Sequence, residues 1–190
     1  MIVVVSGLPR SGTSMLMQML VAGGLPPYVD AARPADASNP RGYFEHARVR
    51  ALARDASWVP EADGHVVKVV APLVPFLPAG PAYRVVLAER AMDEVLASQT
   101  SMLTRLGRPS AAAATLAPVF ERHLAAARAW SDTTPGARLL AVSHQHLLAA
   151  PAAAAAAIAA FLGPDAGPLD TAAMAAAVDP SLYRERAPAP

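Results

Sequence analysis

Residues 2–14, IVVVSGLPRSGTS, carry the pattern on which the fold reading turns. The β-branched run 2–6 predicts a strand buried on both faces, because such strands read as near-continuous apolar runs. Gly7 and Gly12 then bracket a loop. From Thr13 to about Ala22, Met15, Leu16, Met19 and Leu20 recur at helical spacing until Gly23 and Gly24 stop the helix. A glycine-rich turn between a strand and a helix lets successive amides face one anion, with the positive end of the helix behind them.

The glycine spacing and hydroxyl ending match the phosphate-binding loop pattern, but Thr13 stands where that pattern has its lysine. A kinase or GTPase needs the lysine and a magnesium ion against a highly charged triphosphate. A loop with amides, hydroxyls and one arginine, Arg10, suits a less charged group. The plain alternative is a glycine-rich turn capped by a threonine; placement between strand and apolar helix favours the anion.

Working outward, HVVKVVA (65–71), YRVVLAE (83–89) and ARLLAVS (137–143) read as three more strands. Helices are expected over about 45–56, over 91–106, after a capping Ser110, from Pro151 to Gly163, and over 169–178. In the 91–106 helix Val95, Leu96, Gln99, Met102, Leu103 and Leu106 form one face, with Glu94, Ser98, Ser101 and Arg105 opposite. Pro118 should shift the start of the next helix or kink it. Residues 26–44 are punctuated by proline and glycine without a period, as functional loops often are. Alternating strands and helices predict a single α/β domain over 1–190, a parallel β-sheet flanked by helices on both faces, with a fraying tail from about 180.

Composition narrows the function. With 16 basic and 15 acidic residues the formal net charge is +1, so no clustered positive excess points to nucleic acid or a membrane surface. The chain has no cysteine, which removes disulfides and thiolate metal sites and fits a reducing compartment. The first basic residue falls between the apolar stretches rather than before them, unlike a leader peptide, and no apolar run reaches the ~18 residues of a membrane span. The expectation is a cytoplasmic protein.

GLPRSGTSML (7–16) resembles the phosphosulfate-binding loop of the sulfotransferases that use 3'-phosphoadenosine 5'-phosphosulfate (PAPS). That family is similar to nucleotide kinases in fold, a three-layer sandwich, and moves a sulfuryl group without a metal. The resemblance implies that Arg10, Ser11, Gly12, Thr13 and Ser14 hold the 5'-phosphosulfate. A second family element is an arginine at a strand end and a serine eight positions later, gripping the 3'-phosphate; AERAMDEVLASQ supplies Arg90 and Ser98 at that spacing. The family more often has Asp-Pro at Ala91-Met92, a departure at the helix start. RPADASNPRGYFE (33–45), HLLAAPAAAAAAIAAFLG (146–163) and VDPSLYRER (178–186) also look like a bacterial branch of this family, although Gln145-His146 replaces its acidic pair. The implied acceptor is a hydroxyl or amine of a small molecule or saccharide.

Sulfuryl transfer needs in-line placement, charge stabilisation on the leaving phosphate, and a base. Arg10 and the loop amides suit the leaving group. In the cytosolic branch a lysine is followed two positions later by a catalytic histidine; here the lysine is Lys68, but Val70 stands at that place. Glu45 is the first substitute base and His46 the second. The competing readings are a dipole-favoured carboxylate for Glu45, an exposed helix histidine for His46, and a strand-end cation reaching solvent for Lys68. His144 and His146 lack a third ligand nearby, so no zinc site is read. Arg184 and Arg186 read as a solvated tail or as residues closing over the 3'-phosphate. Trp58 and Trp130 read as core. Beside the transferase stand a P-loop kinase or other phosphotransferase and a non-catalytic nucleotide-binding relative.

Overall fold

A computed structural model describes residues 1–30 and 42–182. Residues Ile2–Gly7 form β1, followed across the glycine loop by α1, Thr13–Ala22. Then come β2 (Val66–Lys68), β3 (Tyr83–Glu89), α2 (Met92–Arg105), α3 (Ala113–Thr133) and β4 (Ala137–Ser143). Three helices complete the chain: α4 (His144–Ala149), α5 (Pro151–Leu162) and α6 (Thr171–Ala176). The four strands form one all-parallel sheet in the order β2-β1-β3-β4.

Strand alternation divides the core between the sheet's faces. Val3 and Val5 of β1 join Val86 and Ala88 of β3 on one side, under Leu16, Met19 and Leu20 of α1 and Ala154, Ile158 and Leu162 of α5. Ile2 and Val4 join Val85 and Tyr83 on the other, under Ala127 of α3 and the buried Trp58. Each Val, Leu, Ile or Met side chain so buried contributes about 1.5–3 kcal/mol, so both faces need their covering layer. The expected parallel sheet between two helical layers is therefore the observed fold. Trp58 belongs wholly to the core, and the half-buried Trp130 donates its indole N–H to the Leu77 carbonyl at 3.2 Å.

Three local expectations need correction. Residues 45–56 do not form an α-helix: a 3-10 helix spans Ala47–Ala51, with i to i+3 bonds from His46 to Val49 and from Val49 to Leu52. The buried positions Val49 and Leu52 are three apart, which suits the tighter helix. Ser110 does not cap α3, whose cap is Ala112; the Ser110 hydroxyl lies 3.2 Å from that of Thr100. Pro118 does not shift the start of that helix: α3 begins five residues earlier, and Pro118 lies inside it. The tail from 183 and residues 31–41 lie outside the described residues.

The connection after β1 enters the α1 layer, whereas the chain leaving β3 crosses to α3 on the opposite face. Adjacent parallel strands whose connections part in this way leave a crevice at their carboxyl ends, where α/β sheets bind ligands.

Candidate functional site

All four strand ends deliver polar side chains to that crevice. The loop after β1 contributes Arg10 to Ser14, β2 ends on Lys68, Arg90 follows β3, and His144 follows β4.

The loop is built by three departures from ordinary backbone. Gly7 (φ 150°), Arg10 (φ 71°) and Gly12 (φ 103°) all have positive φ. A Cβ on Gly7 would stand 2.5 Å from Ser11 Oγ and 2.9 Å from the Ala88 carbonyl oxygen, so only glycine fits between loop and β3. Ser11 braces the turn from within: its hydroxyl donates to the Leu8 carbonyl at 2.8 Å, and its amide donates to the same oxygen at 3.2 Å. Its hydroxyl is thus spent inside the loop. Gly12 caps α1 with no side-chain hydrogen bond to the first-turn amides, and Thr13, buried, opens the helix. Left-handed residues among right-handed neighbours turn backbone amides toward a common point, a geometry that suits anions.

Arg10 sits in left-handed backbone, a conformation that costs a non-glycine residue on the order of 1–3 kcal/mol. Its side chain crosses to α2, where Nε donates to Ser98 Oγ at 3.0 Å. Arg90 closes the ring from the other side: NH1 donates to the Arg10 carbonyl at 3.1 Å and Nε to Glu94 at 2.7 Å. Both partners of the Arg90–Glu94 pair are buried. Arg90, just ahead of α2, and Glu94 and Ser98 on it are four residues apart in turn and line the side that meets the loop. Amphipathic periodicity had assigned Glu94 and Ser98 to the outer, polar face; both are buried, whereas Leu106, expected inside, is exposed. The polar line is the face that meets the site.

Lys68 is the last residue of β2, in register with Val5, and so points toward α1. Its ammonium, 6 % exposed, donates to Ser14 Oγ at 3.2 Å and to the Tyr43 carbonyl at 2.9 Å, with Glu45 Oε1 at 3.9 Å. These partners offset the cost of burying the charge. The ammonium missing from the loop's own sequence is thus set against the start of α1 by the neighbouring strand. Phe44 adopts left-handed backbone (φ 52°), between the Tyr43 carbonyl and the Glu45 carboxylate that share Lys68. Glu45 precedes the 3-10 helix and also accepts from Arg50 at 3.0 Å. The structure therefore joins Glu45, Lys68 and Ser14 in one group, and Arg10, Ser98 and Arg90 in another, with the loop between them.

His46 is held by its neighbours. Its Nδ1 accepts from the Arg48 amide at 3.2 Å, and its ring stacks on Tyr28 at 4.4 Å. Arg48 pairs with Glu61 at 2.7 Å. Arg184 and Arg186 lie outside the described residues.

Sequence reasoning missed two members of the site. Glu94 is one. The other is His144, the first residue of α4: a Cβ on Gly12 would stand 2.7 Å from its Cδ2 atom. Burial, ahead of the Arg90 guanidinium, pushes the imidazole down to about 4, with Glu94 opposing. It is a neutral ring at ordinary pH. The rule that ligand crevices lie at strand carboxyl ends was the available signal for it, since His144 directly follows the fourth strand. Among the described residues no group of three His, Asp or Glu side chains is arranged to hold a metal ion.

With this geometry in hand, a likeness to a solved structure is informative. The sulfotransferase domain from the curacin biosynthetic pathway superimposes with a TM-score of 0.53 at 14% identity, over 100% of this chain and 92% of that one. The chain has a sulfotransferase-like fold. No protein-family model and no curated protein sequence matches it. Among the described residues no helix is long and apolar enough to cross a membrane.

Proposed function

We propose that the protein is a sulfotransferase that moves a sulfuryl group from PAPS to a hydroxyl or amine of a small molecule or saccharide, by in-line transfer without a metal. The observation that carries this reading is the Arg10–Ser98 hydrogen bond with Arg90 beside it, which brings the first loop and α2 into direct contact. A donor with anionic groups at both ends of a nucleoside needs such a pair of adjoining anchors. The residues fit it: the amides opening α1 and the Arg10 guanidinium for the 5' end, Arg90 and Ser98 for the 3'-phosphate.

The donor supplies the sulfuryl group, linked to its 5'-phosphate through a bridging oxygen. Transfer forms a bond from sulfur to the acceptor oxygen or nitrogen and breaks the bond to the bridging oxygen, leaving 3',5'-bisphosphoadenosine. Arg10, Lys68 and the loop amides are fixed in advance to stabilise the charge that develops on the leaving phosphate. Glu45, beside Lys68 and partly open to solvent, takes the acceptor proton. Ser14 holds the Lys68 ammonium in place.

The direct test is incubation with sulfur-labelled PAPS and a panel of phenolic, alcoholic, amine and saccharide acceptors in the presence of a chelator. Transfer of label that Glu45→Gln abolishes supports the reading. Transfer of phosphate from labelled ATP with magnesium, and none from PAPS, would assign the chain to the phosphotransferases. Donor binding with no transfer to any acceptor would mark a non-catalytic nucleotide binder.

A further inference from the structure

The transfer step proposed above gives His144 no role, yet its side chain packs against Gly12 of the loop. It opens α4 directly after β4, is buried, and presents its Cδ2 edge to Gly12, where a methyl group would meet it at 2.7 Å. Gly12 is also the cap of α1, with backbone at φ 103° and ψ 11°. A ring wedged there fixes the residue whose conformation aims the first-turn amides. The charged groups acting on the ring are Arg90 and Glu94, which pair with each other, and Arg10 is tied to that pair through its carbonyl.

From this placement we infer that His144 is the positioning residue of the anion-binding loop, and that filling the loop with an anion draws a proton from solvent onto its ring. The inference rests on the loop being the donor site. The ring is neutral without ligand because burial and Arg90 outweigh Glu94. An anion on the loop amides adds negative charge at the loop whose Gly12 the ring packs against, which favours its charged form. By linkage, a proton that anion binding favours makes binding tighter as pH falls.

The experiment is calorimetric titration of 3',5'-bisphosphoadenosine into the intact chain and into His144→Gln, in two buffers of different ionisation heat, from about pH 7.5 to about pH 5.5. Protonation of the ligand itself is common to both proteins and cancels in their difference. The wild-type chain is expected to take up a larger fraction of a proton per ligand than the variant, and its affinity advantage should grow severalfold toward the acid end. Equal proton uptake, with both proteins binding, overturns the proposal and leaves the donor site standing. Absence of binding to the wild-type chain overturns the donor site itself. Should His144→Gln fail to fold, His144→Asn takes its place. A second arm reads positioning: His144→Ala opens the space beside Gly12 and should lose affinity for the bisphosphate at about pH 7.5, and unchanged affinity there contradicts the wedge.

Discussion

Arg10 Nε donates to Ser98 Oγ at 3.0 Å, joining residues 88 positions apart in the chain. The contact ties a strained loop to the second turn of a helix on the far side of the crevice. Its loss should therefore appear in binding more than in folding. Arg10→Gly removes the guanidinium but relaxes a backbone at φ 71°. The two effects oppose, so stability should stay within about 1 kcal/mol of the parent. Affinity for 3',5'-bisphosphoadenosine should fall about 10–100-fold, the range for charge-assisted hydrogen bonds. Urea unfolding and calorimetry on the same variant read the two quantities separately; parallel losses in both would contradict a binding role.

The Arg90–Glu94 pair gives a different expectation. Both members are buried, so removing one leaves an uncompensated charge. Glu94→Ala should destabilise the fold by about 3–5 kcal/mol, and Glu94→Asp should recover part of that. The urea midpoint checks it. A change below about 1 kcal/mol would mean that the pair is open to solvent.

How far these residues were legible depends on the range of the signal. The four strands are short, largely apolar runs with local boundaries, and the alanine-rich α5 starts at Pro151 and is capped by Gly163 as those residues predict. The first loop is also local, a matter of spacing. Glu94 was not legible because a helical wheel assigns polar residues to solvent; only the position of the Arg10 loop shows that α2 turns its polar line inward. The helix expected at 45–56 failed for a similar reason. Asp30, from the preceding segment, accepts the Ala47 amide at 2.6 Å, so the turn is fixed in part by a contact its own sequence does not contain. His144 and His146 drew attention as a metal pair, when the informative fact was that one of them directly follows a strand.

Burial of the His144 ring carries a pH signature. Its proton affinity falls from the ordinary 6.5 to about 4 on folding, so between those values the unfolded chain binds more protons than the folded one. Acid in that window therefore favours unfolding. The stability contributed by keeping the ring neutral is present above about pH 6.5 and is lost as pH falls toward 4, on the order of 3 kcal/mol in total. Urea midpoints of wild-type and His144→Gln chains across this range should converge toward acid, the variant having the flatter profile. Parallel profiles would show that the ring is solvated.

Glu45 and Lys68 should separate catalysis from donor binding. Glu45→Gln keeps the shape of the side chain but cannot take a proton, and turnover should drop about 10²–10⁴-fold with donor affinity unchanged. Lys68→Met loses the bonds to Ser14 and Tyr43 and should lower both turnover and donor affinity. Steady-state rates beside equilibrium titrations distinguish the two patterns. A Glu45→Gln enzyme with full turnover would move the base elsewhere.

The account depends most on whether the loop and α2 hold the two ends of one nucleotide. Calorimetric titration in a chelating buffer with 3',5'-bisphosphoadenosine and with 5'-AMP, against wild-type and Arg90→Ala chains, addresses that directly. The predicted result is metal-independent binding in which the bisphosphate is preferred by at least about tenfold, a preference that Arg90→Ala erases. Equal affinity for the two nucleotides, or binding only of ATP with magnesium, would contradict it.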